Sequence, residues 1–444
     1  MLRLRTSISA LAIAAATFGT VSPADATEGY SAHGFGARSK ALAGAGVADS
    51  RDATAASLNP AGLVHVGDEI DMSLSVFSPR RGFDTDINGG PGFLPQGSFD
   101  SDRNYFFIPN LAWSTRAFAN PLFDVMALSI VGNGGMNTSF PDVANPNCPG
   151  GPFSSGLFCD GKTGVNLLQM VMSVAMAKQI APGVSVGIAP MMALQTIDVN
   201  GTQLFGGFSV DGTRIGGGDN DWSYGFGVRG GIEIEPRKGF RIGIAGTSPI
   251  WMEDFNHYSG LFANRGEFDI PPSLQAGIAV DLSPQLTLML DYRRIWYSWV
   301  DSVGNPQQNI NFMGGDPTAA FGGSNGPGFG WDDVDVIKFG VEWRRDEKLT
   351  LRAGYAWNTN PIGREDVTLN LIAPAVTQHH ITAGLEYDLG GGYSLELAGM
   401  YSPEMSVSGP NLFNPYQTID IHMWQFEGTV GIKYKFDEAA APLK

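Results

Sequence analysis

Three constellations in this chain carry residue types that do chemistry elsewhere. Gly225-Phe-Gly227-Val-Arg-Gly230 has the G-x-G-x-x-G spacing that brings a backbone close to a pyrophosphate at the start of a helix. It lies inside a run that alternates apolar and polar residues, with no helix after it. Its glycines read instead as small residues lying mainly on one face of a strand. His379-His380 offers two imidazoles to a metal, but neighbours in a strand point to opposite faces, and no carboxylate or cysteine cluster lies nearby in sequence. Asp and Glu residues could supply an acid–base pair. They are spread over many segments and interleaved with Arg229, Arg241, Arg293, Lys338 and Arg352, which reads as a salt-bridged or solvated interior. No nucleophile motif such as G-x-S-x-G is present. The expectation is a protein with no catalytic residues, no metal and no cofactor.

The elements that hold these residues are strands. In "WQFEGTVGIKYKF", Trp424, Phe426, Val430, Ile432, Tyr434 and Phe436 share one face, while Gln425, Glu427, Thr429, Lys433 and Lys435 share the other. The same period of two recurs in "LTLRAGYAW", "VIKFGVEWR", "LTLMLDYRRIW", "WSYGFGVRGGIEI" and "YSLELAGMY". About 14 strands are predicted, near 67–79, 103–117, 122–132, 163–179, 183–198, 221–235, 239–252, 269–282, 285–300, 331–346, 348–359, 376–389, 392–406 and 419–436. Short connections such as "IAPG" and "DLGGG" alternate with long ones along the chain. That alternation over an even number of antiparallel strands is the pattern of an outer-membrane barrel, with short periplasmic turns and long outer loops. The apolar faces then meet lipid, with aromatics at both interfaces, and the polar faces line the lumen. A soluble sandwich explains neither the aromatics at both strand ends nor the long loops on one side.

The ends of the chain fit export. Arg3 and Arg5 precede the apolar stretch "ISALAIAAATFG", and Ala24-x-Ala26 offers a cleavage site, so 1–26 read as a signal peptide. Its loss removes Arg3, Arg5 and Asp25 and leaves the chain slightly more acidic than its full-length formal charge of −16, which argues against nucleic acid as a partner. The two cysteines, Cys148 and Cys159, sit in one Gly/Pro-rich loop. In an exported protein they are expected to pair, the alternative being two free thiols. Ser31–Leu63 is rich in Ala and Gly and has no two-residue period. It contains "SRDATAAS", able to start a short helix with Ser50 as N-cap, and the turn "NPAG". Ahead of a barrel wide enough to leave a lumen, it reads as a plug. In the third strand, Asn133-Gly134-Gly135 interrupts a good run, where glycines mark a bulge, a kink or simply the strand's end.

With "HGFGARSKALAGAGVA", "LNPAGL", "GNGGMNT", "NGPGFGWDD", "LRAGYAWNTNPI" and the closing "KYKF" in view, nearly the whole mature chain resembles the FadL family of outer-membrane transporters for long-chain fatty acids and other hydrophobic compounds. The resemblance implies a 14-stranded all-β transmembrane barrel over 67–436, an N-terminal hatch over 27–66 inside it, and a lateral opening at a kinked third strand. Carried over, the hatch motif is Asn59, Pro60, Ala61 and Gly62, and the lateral gate is Asn133, Gly134, Gly135, Met136 and Asn137. The tail 437–444 departs from barrels that end on their last aromatic, the signal read by the barrel-assembly machinery. Candidate ligand contacts from loops and lumen are Phe205, Phe208, Phe262, Met289, Met400 and Phe413, and a lumen Arg or Lys could hold a carboxylate head. The expected function is passive uptake of a hydrophobic solute, foremost a long-chain fatty acid, by a monomer in outer-membrane lipid. The alternatives are aromatic hydrocarbons by the same route, or a polar-solute porin.

Overall fold

A computed structural model describes residues 28–87, 92, 94–218, 220–310 and 315–436; the expected leader and the tail 437–444 lie outside them. Fourteen wall strands form: β1 Glu69–Thr85, β2 Phe106–Thr115, β3 Val125–Asn137, β4 Gly164–Ala181, β5 Val184–Ile197, β6 Asp221–Arg237, β7 Phe240–Thr247, β8 Ser273–Ser283, β9 Leu286–Ile295, β10 Val334–Arg344, β11 Leu349–Asn358, β12 His379–Gly390, β13 Tyr393–Pro410 and β14 Thr418–Lys435. Each pairs antiparallel with its neighbours in sequence, and β1 closes on β14 from Glu69↔Lys435 to Thr85↔Ile419. Every predicted strand is found, with the largest shifts at the ends: β1 runs past its expected end at Pro79 and β3 past 132, while β7 and β9 stop short of 252 and 300. Above Phe77 the ladder from β1 to β2 is interrupted, and it resumes only with the fragment Gly97–Asp100. Pro79 falls in that interruption, where its missing N–H is tolerated.

The wall is inside-out relative to a soluble sheet. On β14, Phe426, Val430 and Ile432 are 51%, 54% and 46% exposed, whereas Gln425, Glu427 and Lys433 are 2% exposed or less. A closed ladder satisfies the backbone within lipid, and only such a ring or a helix can do so. Among the described residues no helix is long and apolar enough to cross a membrane.

The polar groups stay dry because residues 28–66 occupy the lumen. Almost all of them are buried, around the short helices α1 Gly36–Ala41 and α2 Ala55–Leu58 and a 3₁₀ turn, Pro60–His65. The expected cap at Ser50 is not used: α2 starts later, at Ala55, and it is Asp52 whose carboxylate accepts the backbone N–H of Thr54. Close approach to the wall depends on lumen-facing glycines. A Cβ on Gly187 would lie 2.4 Å from the Pro60 carbonyl carbon, and one on Gly231 would lie 2.0 Å from Asn59 Oδ1. The Asn59 amide donates to the carbonyls of Val47 (2.7 Å) and of Ile232 on β6 (3.2 Å), while its oxygen accepts Ala61 N–H. Asn59 thus ties the segment to itself and to the wall at one point.

Ion pairs do the rest. Arg38 on α1 reaches Glu342 on β10 (2.9 Å) and Asp49 (2.7 Å), and Glu342 also receives Arg352 from β11 (2.9 Å). Lys40 pairs with Glu427 on β14, and Asp49 with Arg241 on β7. Glu28 takes both Arg293 (2.8 Å) and Lys338 (2.6 Å). Four of the five lumen cations singled out in the sequence therefore hold carboxylates; the fifth, Arg229, donates to Thr247. Of the histidine pair, His380 faces inward against the His33 ring (6.4 Å between centroids) and His379 faces outward beside the Tyr355 hydroxyl. Cys148 and Cys159 are joined in a disulfide in the loop between β3 and β4. Removing one partner of a buried pair leaves an uncompensated charge, at about 3–5 kcal/mol. Glu342→Ala strips a partner from both Arg38 and Arg352. It should leave a folded barrel but let the inner segment shift, seen as current bursts in planar bilayers that the parent lacks. Records identical to the parent's would show that this cluster does not seat the segment.

Candidate functional site

The wall is broken at one place by the geometry of β3. Its ladder to β2 runs from Thr115↔Met126 to Asn110↔Val131 and stops. Pro109, which has no N–H to offer, is the next residue of β2. On its other side β3 stays paired with β4, with a register shift between Gly132 and Gly134 that bulges out Asn133. Their backbones meet again where Asp102 N–H donates to the Ser139 carbonyl (2.8 Å), with side-chain bonds from Ser139 N–H to Ser101 Oγ (2.9 Å) and from Arg103 to Asn137 Oδ1 (3.3 Å) beside it. A window therefore opens between 103–109 and 132–138.

The start of the lumen segment lies along this unpaired edge. Ala32 N–H donates to the Asn133 carbonyl, and Gly135 N–H donates to the Tyr30 carbonyl, both at 3.0 Å. Tyr30 and Ser31 are themselves held from the loop after β9. Their N–H groups donate to Tyr297 Oη (3.1 and 3.2 Å), whose hydroxyl donates to the Glu28 carbonyl. Burial pushes the Tyr297 phenol above its ordinary range, so it remains a hydroxyl. Gly134 has to be glycine for this contact: a Cβ there would lie 2.1 Å from the Tyr30 oxygen.

Behind the window is a small apolar pocket, the gate cavity, walled by Gly135, Met136 and Asn137 of β3, by Tyr30 and by Phe77, Trp331 and Met423. A second small pocket, the loop cavity, lies among the long loops. Five of them contribute, through Phe158, Phe205, Phe262, Phe321, Phe329 and Leu369. The disulfide-closed turn presents Phe158 there, one residue before Cys159. The cavities share two walls. Phe329 lines one and Trp331 the other, with ring centroids 6.3 Å apart, and Ile372 and Ala373 divide in the same way. One apolar cluster runs continuously from Phe158 and Phe205 to Tyr30, Met136 and Met423. Below the lumen segment, at the short-turn end, lies a third, wider space that is charged instead, lined by Glu233, Arg241, Glu342, Arg352, Glu386 and Lys433 among others.

The residues expected from the sequence divide accordingly. Gly135, Met136 and Asn137 line the gate cavity, while Asn133 and Gly134 carry the contact with Tyr30–Ala32. Phe205 and Phe262 line the loop cavity. Phe413 stacks behind Phe205 (5.7 Å) and Phe208 packs on the same cluster, outside the lining. Met289 packs on Leu42, Ala45 and Ala48 of the lumen segment, and Met400 on Phe77, Phe106 and Ile108, so neither borders a cavity. An apolar lumen-facing side chain can serve the plug or the wall as well as a ligand. Asn59, Pro60, Ala61 and Gly62 lie deep in the packed seam and line none of the three spaces. Sequence reasoning passed over Tyr30 and Trp331, although both lie in or beside motifs it quoted.

Comparison with known proteins agrees with this architecture. A family model for outer membrane transport proteins (OMPP1/FadL/TodX) matches residues 13–402. A Pseudomonas aeruginosa FadL homologue shares 14% identity at a TM-score of 0.66, covering 92% of this chain and 100% of its own. The P. putida toluene transporter TodX shares 14% at 0.64, with 91% and 99% covered. The Ralstonia pickettii toluene transporter TbuX shares 18% at 0.56, again with 91% and 99% covered. At these identities the likeness concerns the fold. No curated protein matches the sequence.

The window contact can be tested through Gly134. Gly134→Val forces the Tyr30 strand off the β3 edge, an overpacking of about 1–3 kcal/mol. A thiol probe placed at Ser31 (Ser31→Cys) should label several-fold faster in that background than in the parent, with solute uptake lowered because Tyr30 shapes the gate cavity. Equal labelling rates in folded protein would mean that Tyr30–Ala32 does not rest on this edge.

Proposed function

The chain belongs to the OMPP1/FadL/TodX family of outer membrane transport proteins, and from that premise we propose that it carries long-chain fatty acids passively through the window beside β3. At the coarser level it is an outer membrane β-barrel transporter of hydrophobic compounds and not an enzyme. The carrying observation is the break in the ladder between β2 and β3, which opens on an apolar cavity instead of on water. A long solute enters the loop cavity from outside, slides along the lining shared by Phe329–Trp331 and Ile372–Ala373, and fills the gate cavity. It leaves sideways into lipid. Continuing down the lumen would take it past the buried ion pairs of Arg38, Lys40 and Asp49 into a charged space, where apolar surface gains nothing. Each site must fill and also empty. The proposed unit is a monomer, assembled by the barrel machinery.

A second reading is favoured by one observation: the loop cavity has no charged residue in its lining, which suits a neutral aromatic such as toluene. The two are separated by uptake of labelled oleate and toluene in outer-membrane vesicles with and without the protein. Protein-dependent uptake of oleate, faster than that of toluene, is the expected result. Uptake of toluene alone would transfer the assignment to aromatic hydrocarbons, and uptake of neither would remove the hydrophobic route.

A further inference from the structure

We propose that Arg80 and Arg103 form a phosphate-binding corner on the lipid-facing side of the wall, and that its occupant is a phosphorylated glycolipid of the outer leaflet. The inference concerns the membrane around the window, so it holds whichever hydrophobic solute is carried.

Position along β1 sets the level of the corner. Met72, Leu74 and Val76 point outward into lipid, and the same period of two brings Arg80 to that face. Its register partner on β14 is Trp424, whose ring lies 6.4 Å from that of Tyr401. With Tyr105, 63% exposed, these rings form the aromatic girdle at the long-loop end. Arg80 therefore sits where hydrocarbon gives way to headgroups, and its guanidinium faces the polar part of the lipid there.

Neutral groups hold Arg80 in place. Its Nη2 donates to Tyr105 Oη (2.9 Å), and the guanidinium lies over that ring at 5.2 Å. Its Nη1 meets the Asn104 side-chain oxygen at 3.1 Å, in the amide orientation that satisfies both ends of Asn104. Its Nε–H is buried and has no partner. Arg103 is exposed two residues before Tyr105 and donates to Asn137 Oδ1 (3.3 Å), while Arg81 donates to the Arg103 carbonyl from the lumen side (2.6 Å). Among the described residues none of these three arginines pairs with a carboxylate. Arg294 makes the contrast. It lies at the same end of β9, in line with the outward Leu290 and Tyr292, and it meets Asp333 and Asp335, both at 3.0 Å. Further out on the Arg80 side, Asp84 and Asp100 lie beside His422, at 3.6 and 3.9 Å. A cation that served only to seat a strand end could use an acid, as Arg294 does.

A phosphate monoester supplies what this corner lacks. It carries more than one negative charge at neutral pH, and its oxygens accept guanidinium forks. A lipid phosphate fits better than a free one, because exposed Val76 and Phe107 continue the same face toward the membrane centre. Acyl chains lying over them bury apolar area while the cations hold the headgroup. Phe107 belongs to the window edge, so the bound lipid lies across the mouth through which a solute leaves.

The test is titration of purified protein, in one detergent, with diphosphoryl lipid A and with lipid A stripped of both phosphates, the lipid-bound fraction being read by native mass spectrometry. The intact protein should prefer the phosphorylated form by about tenfold to a hundredfold, the range of a charge-assisted hydrogen bond. That ratio needs no variant. The double variant Arg80→Gln/Arg103→Gln should bring the two affinities within about threefold, whereas Arg294→Gln should leave the preference intact. Barrel integrity is followed by heat-modified gel mobility. A parent with no preference overturns the proposal, as does a folded double variant that keeps it or an Arg294→Gln protein that loses it as fully. Displacement of the lipid by excess inorganic phosphate, or equal binding of phosphatidylglycerol, overturns the assignment to a phosphorylated glycolipid.

Discussion

Lipid offers no hydrogen bonds, so a break in a barrel wall must be satisfied from inside. The window between β2 and β3 exposes the edge of β3 from Asn133 upward, and a free edge of that kind is not sustainable in hydrocarbon. The lumen segment supplies the missing strand over Tyr30–Ala32. The plug is therefore also a structural part of the opening. Its position has to be fixed well enough to meet two backbone groups at 3.0 Å, and the remaining lumen contacts serve that alignment: Tyr297 holds Glu28 to Ser31, Arg293 and Lys338 hold Glu28, and Asn59 and Arg38 hold the segment further along.

The same constraint explains the inverted distribution of charge. A lumen in which carboxylates and cations face one another across a packed seam is costly to form, because each ion gives up its water. It becomes tolerable where an ion finds a partner, as Arg38, Lys40, Arg241, Arg293, Lys338 and Arg352 do. Arg81, Arg80 and Arg103 at the window are without a carboxylate among the described residues, as is Arg229 on β6, which donates to Thr247 instead.

The strands were legible because period-two alternation and alternating loop lengths are local signals, and the residues of β14 carry both faces in plain view. The bulge at Asn133 was legible for the same reason. Its partner was not. The pairing of Tyr30–Ala32 with Asn133–Gly135 joins segments about a hundred positions apart through backbone groups, which leave no pattern in side-chain order. Among the candidate contacts, Phe205 and Phe262 could be found because a large ring in a long loop needs somewhere to pack. Met289 and Met400 could not be told apart from them, since a lumen-facing methionine packs equally well on the plug or on the wall. Which cation lacks an acid is a property of three-dimensional pairing, and the run "SPRRGF" gives no hint of it.

A passive route for an amphiphile has to handle two surfaces with opposite demands. The tail gains on the order of 25 cal/mol for each Å² of apolar area taken out of water. A continuous apolar lining from Phe158 to Met136 provides that gain at every step without a single deep well. The head cannot follow the tail into hydrocarbon. It has to stay beside a charge until the tail is in the membrane. A cation placed in the loop cavity would hold the solute at the entrance, and one placed in the plug would draw it toward the ion pairs. The kink that opens the wall and the lumen segment that meets its free edge belong to one arrangement, in which the backbone makes room beside an apolar lining and the ion pairs close the way further down the lumen.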